Sequence, residues 1–320
     1  MATQHYPPRQ HPVDQAISGD SLHGTHAEPT YSGVTSFLRR RYSKSLEGVD
    51  VAVLGAPFDL ATTNRPGARL GPRAIRSASA SLAWCRPYAW PHDPLERLAV
   101  IDYGDLDFDL GRPEQIPERL YQQYRPLVAA EVRPLTLGGD HFVSFPVLRA
   151  LSERHGALSL IHFDAHSDTW EDEDGRIDHG TMFFHAARLG YVDPVRSIQL
   201  GMRTCNEKTH GFEVIDAREL HRLDLDAAVQ RIRQRVGQAP CYVSFDVDFL
   251  DPAFAPGTGT PVCGGFSTHQ ALSLIRGLHS LAICGADVVE VAPAYDHAEI
   301  TALAAASVAQ ELLAAMVEAD

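Results

Sequence analysis

Short apolar runs alternate with amphipathic segments along most of the chain. Eight runs have the length and spacing of strands, at 50–55, 98–101, 133–137, 158–163, 197–200, 212–215, 242–245 and 283–291. Apolar residues recur at helical spacing in the segments 72–84, 117–131, 145–155, 180–189, 225–236, 268–278 and 302–317. Strands that alternate with helices pair in parallel through right-handed crossovers. The pattern therefore predicts an α/β fold whose parallel sheet is either open and doubly wound or closed into a barrel.

The first 45 residues do not follow this rhythm. They are polar and rich in proline, glycine and histidine, which is typical of an arm that lies across the surface or on a neighbouring subunit. The remaining chain contains neither an internal repeat nor a linker that would divide it. We therefore predict an N-terminal arm, residues 1–45, followed by a single domain, residues 46–320.

Composition and charge exclude several classes of partner. Apolar residues make up 44% of the 320 residues, which is enough for a large core, and the net charge is −13. An acidic chain is a poor partner for nucleic acid or an anionic membrane. The five cysteines form no C-x-x-C pair, no run approaches the length of about 20 apolar residues that a membrane span needs, and the N-terminus does not resemble a signal peptide. These features predict reduced thiols and a cytoplasmic location.

Two of the predicted strands end in acidic residues at alternate positions. The segment 158–170, LSLIHFDAHSDTW, presents Asp164, His166 and Asp168, and the segment 241–251, CYVSFDVDFLD, presents Asp246 and Asp248. Residues two apart in an extended segment point the same way. So many carboxylates at one edge of a sheet would repel one another unless cations lay between them.

A third strand ends in a turn that adds a second histidine to this set. The sequence LTLGGDH, residues 135–141, has two glycines that allow a tight turn before His141. Each motif alone is common, because an Asp at a strand end usually caps a helix or forms a turn. Together they supply two imidazoles and four carboxylates, whose charge two divalent ions would balance. This donor set favours Mn²⁺ over zinc–thiolate or all-oxygen calcium chemistry, and two such ions about 3.5–4 Å apart can ionise a shared water.

Two further residues are candidates for acid–base chemistry or substrate binding. His179, in DHGT, precedes a predicted helix and follows Asp168 by a short loop, so it is either a surface histidine or a proton shuttle beside the metals. Glu290, in DVVEVAP, ends the last apolar strand. A carboxylate there is costly to bury, so it either caps a loop or binds a cationic group, and we favour the second interpretation.

The motifs together resemble one known family. GGDH, FDAHSD, DHGT, SFDVDFLDPAFAPGTGTP, DVVEVAPAYD and TTNRPGARLGPRAIR are similar to the ureohydrolase (arginase–agmatinase) family from about Gly55 to the C-terminus. The resemblance implies a three-layer α/β/α fold with an open, eight-stranded parallel sheet. It also implies a two-manganese site with three pairs of ligands: His141 and Asp168 for one ion, His166 and Asp248 for the other, and Asp164 and Asp246 bridging both.

The same resemblance implies an activity. The segments IDHGTMF and VEVAPAYDHAEITALAA are most similar to the bacterial branch of the family that hydrolyses agmatine to urea and putrescine. It implies His179 as the catalytic histidine, Glu290 as the guanidinium-binding residue and Asp168 as a catalytic group near the metals. The expected partner is a small cationic guanidine, and the expected assembly is a homo-oligomer, trimeric or hexameric.

Several alternative functions follow from the same residues. The nearest is hydrolysis of a guanidino acid, 4-guanidinobutanoate or 3-guanidinopropanoate, whose tail is a carboxylate rather than an ammonium. The acidic loop 171–178 favours the ammonium, although such charge runs are often only a solvated lid. Arginine hydrolysis and deacetylase-like amide hydrolysis agree less well with the motifs. A non-catalytic, metal-binding role is a further alternative, but all eight candidate site residues are present.

Overall fold

A parallel β-sheet forms the centre of the part of the chain that the structure, a computed structural model, describes, namely residues 14–25, 28–172 and 174–318. Its nine strands are β1 (Arg41–Tyr42), β2 (Val51–Ala56), β3 (Val100–Asp105), β4 (Arg133–Gly138), β5 (Ser159–Phe163), β6 (Ile198–Leu200), β7 (Glu213–Ile215), β8 (Cys241–Asp246) and β9 (Ile283–Val289). The order across the sheet is β1-β3-β2-β4-β9-β8-β5-β6-β7, and neighbouring strands are parallel. Because β1 and β7 are its edges, the sheet is open and not a barrel.

Helices connect the strands and cover both faces of the sheet. They are α1 (Gln15–Ser18), α2 (Gly71–Ser79), α3 (Pro94–Arg97), α4 (Ile116–Ala129), α5 (Ser144–His155), α6 (Met182–Arg188), α7 (Ala217–Leu220), α8 (Leu225–Val236), α9 (Thr268–Arg276) and α10 (Ile300–Ala315). Short 3₁₀ turns follow several strands, among them His141–Val143 after β4 and Val247–Phe249 after β8.

The two faces of the sheet bury separate cores. Val53 on β2 packs in a cluster that includes residues of α2, α8, α9 and α10. Its neighbour Leu54 packs in a second cluster, which includes residues of α4, α5 and α6. Successive residues of a strand point to opposite faces, so a strand covered on both sides must be apolar almost throughout. The predicted three-layer α/β/α fold is confirmed.

The number of strands differs from the expectation of eight. The eight predicted runs correspond to β2–β9, and the ninth strand is β1, whose Arg41 pairs in register with Ile101 of β3. Both residues of β1 are exposed, so no apolar run marks this strand in the sequence. β1 lies within the predicted N-terminal arm, residues 1–45. In the same segment, Phe37 and Leu38 are fully buried.

The helix boundaries agree with the hydrophobic periodicity to within a few residues. α8 covers 225–236 as predicted, whereas α2 ends at Ser79, five residues before the predicted end. Within the described ranges, no helix combines the length and apolarity that crossing a bilayer requires.

Candidate metal centre and active site

The predicted functional residues follow four strands that are neighbours in the sheet. Its central order is β4-β9-β8-β5. The turn with His141 follows β4, Glu290 follows β9, 246–248 is at the end of β8, and 164–168 follows β5. The carboxyl ends of parallel strands share one edge, where ligands bind in open α/β sheets. The fold therefore collects all four motifs at one place.

The turn after β4 depends on a glycine that no larger residue could replace. A Cβ atom on Gly139 would lie 1.8 Å from the carbonyl oxygen of Phe58. Asp140 then caps the 3₁₀ turn, because its Oδ1 accepts a hydrogen bond of 3.0 Å from the amide of Phe142. These two residues direct His141 across the carboxyl ends of the neighbouring strands.

The first group of candidate ligands surrounds His141. Its Nδ1 atom lies 2.9 Å from Oδ2 of Asp168, 3.1 Å from Oδ2 of Asp164 and 3.4 Å from Oδ2 of Asp246. The imidazole is buried, and Nδ1 has no hydrogen-bond partner among the described residues. A buried nitrogen that faces three carboxylate oxygens is arranged to coordinate a cation.

The second group surrounds His166 and shares a residue with the first. The Nδ1 atom of His166 lies 2.9 Å from Oδ2 of Asp248 and 3.4 Å from Oδ1 of Asp164. Asp164 therefore turns one oxygen towards each histidine, as a bridging ligand must. The structure brings together all six residues that were predicted as metal ligands.

The charge of these groups is suited to divalent cations. Burial raises the pKa of Asp246 well above its usual range, and Asp248 and Asp164 raise it further. The pKa of Asp248 rises to about 6, again by burial first and then by Asp164. Burial lowers the pKa of His166, but the two aspartates outweigh this and raise it to about 12. All three shifts express an excess of buried negative charge, which divalent cations would neutralise.

A third histidine lies in the cluster, and the sequence analysis missed it. His162 is fully buried, with Nε2 2.7 Å from Oδ2 of Asp164 and Nδ1 3.0 Å from Nε2 of Gln199. The signal was present, because His162 precedes Asp164 by two positions and so continues the alternation of 164, 166 and 168. It stands inside an apolar run, however, where a histidine is usually a core residue.

Glu290 is held in a strained conformation at the edge of the cluster. Its φ of 66° lies in the left-handed region, which is unfavourable for a residue other than glycine. Oε1 accepts a hydrogen bond of 2.8 Å from the amide of His141. Oε2 is buried and has no hydrogen-bond partner among the residues described. A carboxylate oxygen left in this state is ready to accept from a cationic donor.

His179 lies beside Glu290 rather than within the cluster of ligands. Its Nδ1 atom is 3.6 Å from Oε1 of Glu290, and its Nε2 atom is 3.2 Å from Oγ1 of Thr63. Burial lowers the pKa of His179, but Glu290 more than compensates and raises it to about 9. Glu290 therefore stabilises a proton on the imidazole, which suits a residue that donates one.

The acidic side chains of the loop 171–178 are partly paired with cations, one from outside the loop and one within it. Glu171 forms an ion pair with Lys208, and Arg176 lies 3.3 Å from Asp172 and 3.1 Å from Asp178. These cations offset part of the loop's charge. The loop alone is therefore a weak argument for an ammonium-tailed substrate.

Comparison with known proteins agrees with this geometry. The model of the arginase family matches residues 49–315. An agmatinase of Chromobacterium violaceum is 51% identical over 305 residues, which make up 95% of each chain. The chain belongs to the arginase family. A crystal structure of a hypothetical agmatinase from Burkholderia thailandensis is 52% identical, covers 95% of this chain and 97% of its own, and superposes with a TM-score of 0.93.

A more distant structure belongs to an enzyme with a different name. The proclavaminate amidino hydrolase from Streptomyces clavuligerus is 38% identical, covers 91% of this chain and 99% of its own, and has a TM-score of 0.85. Enzymes of the arginase family use a binuclear metal site. In this chain the candidate for that site is the pair of groups that share Asp164.

Proposed function

We propose that the chain is an agmatinase, which hydrolyses the guanidinium group of agmatine to urea and putrescine in polyamine synthesis. Two findings support this: its membership of the arginase family and its 51% identity to a protein named agmatinase. The structural observation that carries the proposal is the unpaired Oε2 of Glu290, which lies at the edge of a cluster of metal-type ligands. A guanidinium group is the complementary planar donor.

The proposed metal centre holds two manganese ions. His141 and Asp168 would bind one, His166 and Asp248 the other, and Asp164 and Asp246 both. The donors are nitrogen and carboxylate oxygen without thiolate, a set that suits Mn²⁺. Bound there, the ions would lower the pKa of a water and so supply a nucleophile at neutral pH.

Glu290 and His179 have complementary roles in this proposal. Glu290 accepts N–H groups of the guanidinium through Oε2 and fixes the plane of the reacting carbon. Its Oε1 is occupied by the amide of His141, so the carboxylate cannot rotate away. His179 holds a proton near the substrate and relays it to the departing amine, and Asp168 assists beside His141. Hydrolysis thus adds water across one C–N bond and releases urea and a primary amine.

A guanidino acid is the second candidate substrate. It is favoured by the 38% identity to an amidino hydrolase that is named for proclavaminate, a carboxylate, and not for agmatine, and by the partial neutralisation of the acidic loop. Such a substrate would present the same guanidinium to Glu290. It would differ only in the tail, which lies away from the reacting carbon.

A substrate panel tests the proposal and separates the two candidates. Urea release is measured with agmatine, arginine, 4-guanidinobutanoate and 3-guanidinopropanoate, for the Mn²⁺-loaded protein and for protein stripped by a chelator. We expect kcat/KM for agmatine to exceed the others by at least about 100-fold, a difference of about 2.7 kcal/mol in transition-state binding. A higher value for a guanidino acid would contradict agmatinase activity, and full activity without metal would contradict the metal centre.

The setting of the enzyme is also a proposal. We expect it to act in the cytoplasm as a trimer or hexamer. Light scattering on the purified chain tests the assembly, because a monomeric mass would contradict it.

A further inference from the structure

A row of buried polar residues crosses the sheet beneath the candidate metal centre. The register pairs Thr136 with Asp287, Asp287 with Ser244, Ser244 with His162, and His162 with Gln199. The row thus spans five neighbouring strands, β4, β9, β8, β5 and β6. All five side chains are fully buried. Buried polar groups are costly in a sheet core unless they are hydrogen-bonded, so each needs a reason to be there.

The middle of this row connects to His141. The Oγ atom of Ser244 lies 2.7 Å from Nε2 of His141 and 2.7 Å from Oδ1 of Asp287. A carboxylate can only accept hydrogen bonds, so the hydroxyl of Ser244 donates to Asp287. The Ser244 oxygen must then accept from Nε2–H of His141. In the neutral imidazole, the form that can bind a metal ion, this leaves Nδ1 without a proton and with its lone pair towards the carboxylates.

Three hydrogen bonds hold the Asp287 carboxylate in the orientation in which it accepts from Ser244. Its Oδ2 atom accepts hydrogen bonds from the hydroxyls of Ser144, at 2.5 Å, and of Tyr242, at 2.7 Å. With Ser244 on Oδ1, three donors from α5 and β8 fix the carboxylate in one orientation. A rotated carboxylate would have to break all three hydrogen bonds.

We propose that Asp287, acting through Ser244, is a positioning residue of the metal centre that keeps the His141 imidazole in its metal-binding tautomer. This inference rests on the metal centre of the proposed function. Partners behind a ligating histidine typically change metal affinity by about 10–100-fold. Asp287 and Ser244 lie inside largely apolar strands, and Ser244 is the residue through which Asp287 reaches His141.

The other half of the row gives the neighbouring histidine, His162, the same tautomer but turns its N–H group, not its lone pair, towards the carboxylates. The Nε2 group of Gln199 donates to the carbonyl oxygen of Ser167 at 2.6 Å, which identifies it as the amide NH₂, and it also donates to Nδ1 of His162. The proton of His162 is then on Nε2 and donates to Asp164. His162 therefore orients the shared carboxylate and is not a ligand, although it lies within reach of the cluster.

Manganese titration of two matched variants tests the inference. Ser244→Ala removes the hydroxyl that accepts from His141. Thr136→Val removes a hydroxyl from the same row that lies 2.9 Å from the hydroxyl of Tyr124 and does not reach the cluster. Full-length protein is stripped with a chelator and titrated with Mn²⁺, and free Mn²⁺ is followed by electron paramagnetic resonance. For Ser244→Ala we expect the affinity of one of the two ions to fall about 10–100-fold, while Thr136→Val keeps both within about threefold.

Other outcomes separate this inference from the proposed function. If Ser244→Ala bound both ions with parental affinity, or if both variants lost the same affinity for Mn²⁺, the proposed role of Asp287 would be wrong. The proposed metal centre would be unaffected by either result. Fewer than two ions in the parent chain would overturn both. If Ser244→Ala does not fold, Asp287→Asn serves instead. The NH₂ group of the asparagine could donate to Ser244, whose hydroxyl could then donate to Nε2 of His141, so the imidazole would no longer be held in its metal-binding tautomer. Parental affinities in that variant would equally overturn the inference.

Discussion

Two acidic residues of the candidate site adopt backbone conformations that their side chains disfavour. Glu290 has a φ of 66° and Asp168 a φ of 52°. Left-handed backbone at residues other than glycine costs about 1–3 kcal/mol and persists only where the surroundings impose it. Glu290 directly follows β9, and Asp168 lies five residues beyond the end of β5. The strain agrees with a site in which the position of each carboxylate matters more than local stability.

Replacing Glu290 by glutamine tests the role of its charge. The amide keeps the oxygen that accepts from His141 but replaces the unpaired Oε2 with a donor, which repels a guanidinium. We expect kcat/KM for agmatine to fall by about 10²–10³-fold, as expected for the loss of a buried charge pair, with Mn²⁺ content unchanged. Urea release and elemental analysis on the same sample measure both quantities.

A buried glutamate far from the site provides the control. Glu311 on α10 pairs with Arg276 and accepts from Trp90. Glu311→Gln should lower the melting temperature and leave kcat/KM within about threefold. If Glu290→Gln behaved in the same way, Glu290 would be structural and not a substrate ligand.

Polar site residues at the ends of strands could be predicted from the sequence, whereas those inside strands could not. Asp164, Asp246 and Glu290 stand where an apolar run stops, so their polarity is conspicuous. Asp287 and Ser244 stand inside such runs, and periodicity alone treats them as exceptions in the core. Only the register of the parallel sheet shows that they lie side by side beneath His141.

At the level of elements, the turn after β4 is the most constrained connection in the site. Gly139→Ala would place a Cβ atom 1.8 Å from the backbone oxygen of Phe58, and backbone atoms cannot yield as a side chain can. We expect a loss of about 3 kcal/mol in the free energy of unfolding and weaker binding of Mn²⁺, because His141 would move with the turn. Thermal melting and Mn²⁺ titration check the two effects.

Gly111→Ala is the matched control for this substitution. Gly111 is exposed, and a Cβ atom there would approach only the side chain of Asp109, at 3.1 Å. Its melting temperature and Mn²⁺ affinity should remain close to those of the parent. A Gly139→Ala protein that matched it in both respects would show that the turn tolerates a side chain.

The elements that were predicted well are those with a strong hydrophobic pattern. The eight predicted runs correspond to β2–β9, and the clearest of them, such as β2 and β8, are buried throughout and nearly all apolar because both of their faces are covered. β1 was missed because its two residues are exposed and its strand exists only through pairing with β3. The hydrophobic periodicity could not distinguish an open sheet from a barrel, because that difference depends on which strands pair with each other.

At the scale of the whole molecule, the cluster of buried carboxylates should make the stability of the fold depend on metal binding. Asp164, Asp246 and Asp248 are each buried, and without cations they repel one another in a medium that screens charge poorly. Removing metal with a chelator should therefore lower the melting temperature, and Mn²⁺ should restore it. Ligand at 100 times its dissociation constant stabilises the folded state by about 2.7 kcal/mol. Calorimetric scans with and without Mn²⁺ that coincide would show that the cluster does not bind it.

The number of metal ions that the cluster binds follows from its geometry, in which two groups of ligands share Asp164. Elemental analysis at saturating Mn²⁺ counts the manganese ions per chain. We expect two ions per chain in the parent protein, and one ion per chain, or none, would contradict the proposed pair of sites.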